Sequence, residues 1–274
     1  MKKVSHLIVL LIVALLTSCE TVVGVDLNEA KPKLVVDASI NWVKGSAGNE
    51  QLIKLTTTTG YFSETIPNVS GAVVSIKNSA GTNFSFLETP NIGEYVCSTF
   101  IPELGEIYNL TILYNGQTLT ATETMIAVPE IDRIEQEISP GIGNAQNHIN
   151  IKTFFTDPGN SNDFYMTRVQ TDINAIPEYY VTNDEFFQGN QIFDLYMNQY
   201  LKAGDTVAVK LFGISERYYN YMAILTSIAG NSSGPFSTPP ATLRGNVVNN
   251  TNPDNFILGY FSLNEVDAAL YVVQ

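Results

Sequence analysis

Leu34-Val35-Val36-Asp37-Ala38-Ser39-Ile40-Asn41-Trp42 is the stretch on which the reading of this chain turns. Leu34, Val36, Ala38, Ile40 and Trp42 fall on one side and Asp37, Ser39 and Asn41 on the other, the period of two that a half-buried strand imposes. The same alternation returns at Ile53/Leu55, Ala72/Val74/Ile76, Phe84/Phe86, Tyr95/Cys97 and Tyr108/Leu110/Ile112. Between these runs stand turn residues: Asn78-Ser79-Ala80-Gly81, Asn91-Ile92-Gly93 and the hairpin signal Asn115-Gly116.

About seven short strands at roughly 8–12-residue spacing, without a helical pattern, predict a β-sandwich over residues 31–128. Gly105-Glu106-Ile107-Tyr108-Asn109-Leu110 fits a tyrosine corner, in which a strand's first inward tyrosine bonds back to upstream backbone. That favours an immunoglobulin-like or transthyretin-like Greek key over a barrel. Around Val128-Pro129-Glu130 this module ends, and a second β-rich one is expected over 131–274. Its strands are read at Ile149/Ile151/Thr153/Phe155, Tyr165/Thr167/Val169 and Val207/Val209/Leu211, with closing strands from Asn255 to Leu263 and from Leu270 to Val273. A helix near 215–229 interrupts them: Ser215 is placed to cap it, and Tyr218, Tyr221, Met222, Leu225 and Ile228 form an apolar stripe before Gly230. The fold class is therefore all-β, two tandem sandwiches, the second with one packed helix.

The N-terminus carries an address. Leu7 to Leu16 is wholly apolar, too short at about 1.5 Å per residue to cross a hydrocarbon core of about 30 Å. Preceded by Lys2 and Lys3, it has the layout of a secretory signal spanning residues 1–18. Leu16-Thr17-Ser18-Cys19 resembles the bacterial lipobox, which implies cleavage before Cys19, diacylglycerol on its sulfur, and a lipidated tether over 19–30.

Removing residues 1–18 takes away Lys2 and Lys3 and leaves 12 basic against 27 acidic residues, a net charge near −15. Phosphate backbones would repel such a surface, so nucleic acid is not expected as a partner. With Cys19 lipidated, Cys97 has no partner in the chain and is expected as a small buried hydrophobe in a strand.

Catalytic sets are scarce. His148 is the sole mature histidine, in the loop-like run Gly141 to His148, where nothing nearby would orient it. Gly230-Asn231-Ser232-Ser233-Gly234 matches a hydrolase nucleophile pattern, but it follows a helix and no histidine lies downstream. Zinc would need Cys or His clusters that the chain lacks, and no cofactor is expected. Asp157-Pro158-Gly159-Asn160-Ser161-Asn162-Asp163 offers Asp157, Asn160, Asn162 and Asp163 as candidate calcium ligands. The same residues are what a turn between Phe155 and Phe164 requires, and no EF-hand glutamate follows, so no metal is assigned. Asp184-Glu185 is not promoted to an acid–base pair, since adjacent side chains point apart. Tyr179, Tyr180, Phe186, Phe187 and Asn190, in a segment rich in aromatics and amides, make a candidate surface for a glycan, a peptide or a partner protein.

Across its mature length the chain resembles a lipoprotein family of the Bacteroidota, the domain of unknown function numbered four-two-four-nine. The resemblance rests on Ser18-Cys19-Glu20, Lys33-Leu34-Val35-Val36, Pro67-x-Val69-x-Gly71-Ala72-x-Val74, Gly93-x-Tyr95, Gly105-x-x-Tyr108-x-Leu110, Gly204-Asp205-x-Val207, Pro239-Pro240 with Gly245-Asn246, and Leu258-Gly259-Tyr260-Phe261. It implies an outer-membrane, lipid-anchored protein of the cell envelope, of a family commonly encoded beside TonB-dependent receptors, and it supplies no catalytic residues. The expectation is a non-enzymatic accessory binding subunit of a TonB-dependent uptake system; the alternative is a structural or adhesive envelope protein. Which face of the outer membrane it occupies stays open.

Overall fold

The structure is a computed structural model that describes residues 31–60, 63–140, 147–230 and 243–274. The expected signal, the candidate lipidation site Cys19 and the expected tether lie outside these residues, as does the Gly-x-Ser-x-Gly match from Asn231 onward. No helix among the described residues is long and apolar enough to cross a membrane. The secondary structure is mostly β, in chain order β1 (Leu34–Val43), β2 (Gln51–Thr57), β3 (Val73–Asn78), β4 (Asn83–Glu88), β5 (Glu94–Cys97), β6 (Ile107–Tyr114) and β7 (Gln117–Thr124). Then come β8 (Ile131–Ser139), β9 (His148–Thr156), β10 (Phe164–Thr171), β11 (Glu178–Asn183), β12 (Gln191–Asn198), β13 (Thr206–Ile214), helix α1 (Glu216–Gly230), β14 (Val248–Asn249) and β15 (Leu258–Val272).

Twelve of these strands form one ladder in the order β11-β10-β13-β15-β1-β2-β5-β4-β3-β6-β7-β14. The ladder folds back on itself through β4. Val36, Ala38 and Ile40 of β1 thereby meet Ile76 of β3 and Leu110 and Ile112 of β6 in one core, all without exposed surface. This is the sandwich that the alternation at Leu34–Trp42 predicts. Its corner is closed by Tyr108, whose hydroxyl donates to the Ile101 carbonyl at 2.8 Å and accepts the Glu103 N–H at 3.0 Å. Burial pushes that phenol up to about 12. Cys97 lies buried in the same core as a free thiol.

The second sandwich sets the three-stranded sheet β12-β9-β8 over β10, β13 and the end of the chain. Alternation in β13 directs Val207, Val209 and Leu211 into these cores, while Phe212 meets Tyr218 and Met222 of α1 on the opposite face. Ser215 caps the helix, its Oγ accepting the Tyr218 N–H at 3.3 Å. The apolar stripe is buried only at its start: Tyr218 and Met222 are covered, whereas Leu225 is exposed.

β15 joins the two cores. Its first half runs parallel to β1, from Val35↔Leu258 to Val43↔Val266, and its second half antiparallel to β13, from Phe212↔Val266 to Thr206↔Val272. Val247, Ile257, Phe261 and Leu263 complete the first core, so the change of pattern at 128–131 divides the chain without dividing that core from the C-terminal segment. Pro32–Gln274 forms one compact unit. Instead of ending one strand at Leu263 and starting another at Leu270, the chain continues straight through Asn264, Glu265 and Asp267. Glu265, 6% exposed, accepts the Val128 N–H at 2.9 Å and pairs with Lys44, while Asp267 accepts the Ile131 N–H at 2.7 Å. These carboxylates tie the passage between modules to β15.

Where β15 begins, backbones approach too closely for side chains. A Cβ on Gly259, whose φ is +87°, would lie 2.0 Å from the Val36 carbonyl oxygen, and one on Gly245 would lie 1.5 Å from the Gly259 oxygen. The Asn246 amide then stands in for a neighbouring strand: Oδ1 accepts the Phe261 N–H at 2.9 Å and Nδ2 donates to the Phe261 carbonyl at 2.7 Å.

Candidate functional site

The polar face of β1 forms the floor of a groove. With its even-numbered residues spent on the core, β1 turns Asp37, Ser39 and Asn41 outward, beside Asn264 of β15, Lys54 of β2, Arg168 of β10 and Lys210 of β13. Tyr179 of β11 and Tyr218 of α1 also line it, and the volume enclosed is about 440 Å³. Burial pushes the Tyr218 phenol up to about 12, so it stays a neutral hydrogen-bonding group at physiological pH.

Charge in the groove is unevenly compensated. Asp37 stands opposite Lys54 in the β1–β2 register, and Lys54 also pairs with Glu94 at 2.9 Å. Arg168 stands opposite Lys210 in the β10–β13 register, two cations on facing positions. Neither forms a salt bridge among the described residues; Arg168 reaches only the Gln170 amide oxygen at 3.4 Å. Like charges directly opposite destabilise a sheet, and a chain with nearly twice as many acids as bases had carboxylates to spare for this place. The floor has a further unspent group. Asn264, 1% exposed, donates to Asn41 Oδ1 at 3.0 Å and Ser262 Oγ at 3.1 Å, while its own Oδ1 is buried without a partner. Arg168 and Lys210, without an ion-pair partner among the described residues although Asp37 and Glu50 also line the groove, offer binding to an anionic group.

The loop after β9 meets the loop after β11 in a second polar centre. Asp157 holds the loops together: its Oδ2 accepts the N–H groups of Gly159 at 2.9 Å and Gly189 at 2.8 Å, and its Oδ1 accepts the Tyr165 hydroxyl at 2.6 Å. A Cβ on Gly159 would lie 2.6 Å from the Cα of Gly189, so the two turns touch backbone to backbone. Asp163 and Asp184 are drawn in beside Asp157, and one carboxylate oxygen from each lies within 4.8 Å of the others. Burial, followed by repulsion from Asp157 and Asp184, raises the Asp163 carboxyl above its ordinary range despite the Ser161 hydroxyl bonds that lower it. Of the four calcium candidates read from sequence, Asp157 and Asp163 belong to this cluster, while Asn160 and Asn162 are exposed. Asp184 is the member that the sequence reading misses, being far along the chain; Glu185 next to it points outward to solvent.

The structure distributes the aromatic surface among several places. Tyr179 lines the groove and Tyr180 packs with the core beneath β12, its hydroxyl donating to Glu178 at 2.8 Å. Phe186, 81% exposed, and Phe187 project from the loop after β11, while the Asn190 carbonyl accepts the Asp157 N–H at 3.1 Å. His148 is the first residue of β9 and half-buried, ordered by β8 where Ser139 pairs with it, and so is a strand residue and not a loop one.

Among solved structures the chain is similar to a two fibronectin type III domain segment from chicken tenascin, at 12% identity and a TM-score of 0.21, over 66% of this chain and 90% of that one. It is also similar to the FN1-FN3 domains of chicken CNTN1, at 12% identity and a TM-score of 0.27, over 65% and 57%. For the chicken interferon gamma receptor alpha chain the values are 13% and 0.20, over 66% and 88%. No curated protein matches the chain. A family model matches residues 20–268, from the residue after Cys19 into β15, and the chain therefore belongs to the family described as Domain of unknown function (DUF4249).

Proposed function

We propose that this protein is a non-enzymatic binding protein, held at the outer membrane by lipid on Cys19, whose groove takes an anionic solute for a TonB-dependent uptake receptor. The observation that carries the reading is the facing pair Arg168 and Lys210, uncompensated in a groove on a strongly acidic chain. A peptide carboxylate or an acidic glycan has the chemistry to neutralise the pair. Phe186 and Phe187, exposed on their loop, supply apolar contact area for the receptor.

The test is a gentle-detergent pull-down of the lipidated, tagged protein from its native outer membrane, followed by mass spectrometry. A TonB-dependent receptor is expected in near-stoichiometric amount, and Cys19→Ala is expected to leave the membrane fraction. Recovery of the protein alone or with envelope scaffold components, together with unchanged uptake on deletion, would favour a structural or adhesive role instead.

A further inference from the structure

The acidic centre between the β9–β10 and β11–β12 loops is built of three carboxylates with no cation beside them. None of Asp157, Asp163 and Asp184 forms a salt bridge among the described residues. Asp157 and Asp184 are each 2% exposed, so neither charge is relieved by water. Asp157 spends its oxygens on loop N–H groups and on Tyr165, and Asp163 accepts from Ser161 at 3.1 Å through both oxygens. Asp184 differs from them: its Oδ2 is buried and accepts nothing, although the side chain contributes to the three-oxygen cluster. An ionised carboxylate buried without a partner is among the costliest arrangements in a protein, and two like neighbours raise the cost.

We propose that Asp157, Asp163 and Asp184 bind a calcium ion that clamps the two loops together. The donor set is oxygen only, which suits a hard cation and not zinc or copper. Oxygens around one calcium at about 2.3–2.6 Å lie at most about 5 Å apart, and the three carboxylates come within 4.8 Å of one another. A divalent ion offsets two of the three negative charges, and it gives the Asp184 carboxylate a partner. Residues 160–162 beside the cluster are exposed, which leaves access for water to complete the coordination. The loop so fixed is the one that presents Phe186 and Phe187, and the proposal stands whether or not the groove binds an anion.

The experiment uses the soluble mature chain after exhaustive chelation. Terbium, which occupies calcium's oxygen sites, is expected to bind at one ion per chain and to emit when tyrosine is excited, because the Tyr165 hydroxyl lies 2.6 Å from Asp157 Oδ1. Calcium is expected to displace it and, at about a hundred times its dissociation constant, to raise the melting temperature by about 5–10 °C. Magnesium at the same concentration is expected to do much less. Asp184→Asn removes one charge without changing shape, so the variant is expected to melt higher than wild type in chelator and to lose both the emission and the calcium shift. Absence of terbium emission and calcium shift in the wild type would overturn the proposal. So would an equal shift with magnesium, which marks mere screening of the acidic surface, or a calcium shift undiminished in Asp184→Asn. If that variant fails to fold, the wild-type measurements decide alone.

Discussion

Single polar residues, buried and bonded, explain features of this chain that its apolar pattern does not. Asp194 of β12 reaches across the second sandwich, its Oδ2 accepting from Thr167 of β10 and its Oδ1 from Thr182 of β11 at 3.1 Å. Burial raises its carboxyl above the ordinary range, and the two threonine bonds only partly offset that. The native chain then holds this proton more tightly than the unfolded chain. Its stabilising contribution is full below the ordinary aspartate value and is lost as pH rises from there through the raised native value. Asp194→Asn is therefore expected to be more stable than wild type at neutral pH, with the advantage vanishing on acidification. Urea denaturation at a series of pH values measures this; an advantage independent of pH would contradict it. Asp194 sits in Gln191-Ile192-Phe193-Asp194-Leu195, where nothing in the local sequence announces an inter-sheet contact.

At the scale of elements, β15 shows what was legible and what was not. Both of its ends read as strands because their residues alternate, yet the polar run at Asn264, Glu265 and Asp267 reads as an interruption. Glu265 and Asp267 satisfy backbone donors of a distant segment and Asn264 bonds to the Asn41 side chain of β1, long-range relations to which hydrophobic periodicity is blind. The same blindness hid β8, whose Ile131-Asp132-Arg133-Ile134-Glu135-Gln136-Glu137 has the charged face of a sheet edge. In contrast, Ser215 and the first turns of α1 were legible, since a cap and a stripe are local signals. Glu265→Ala is expected to cost about 2–3 kcal/mol by leaving the buried Val128 N–H and Lys44 without their partner, measured by denaturant unfolding. A change within about 0.5 kcal/mol, the range of ordinary surface substitutions, would contradict the role given to this latch.

For the whole molecule, the sandwich of β1 to β7 followed from alternation and turn chemistry, while the cation pair of the groove and the third member of the acidic centre followed only from folding. Arg168 and Lys210 are 42 positions apart, and Asp184 lies well beyond the loop of Asp157 and Asp163, so register and loop packing alone bring them together. The groove is formed by strands from both halves of the chain, with β1 and β2 on one side and β10 and β13 on the other, joined through β15. A solute held there would couple those halves, and its removal would leave two cations facing each other. The most direct measurement is mass spectrometry of small molecules released on denaturing the protein purified from its native membrane, beside the Arg168→Gln, Lys210→Gln variant purified identically. An anionic solute enriched in the wild type and absent from the variant is the expected result. Identical extracts from the two would contradict the claim that this groove is a binding site.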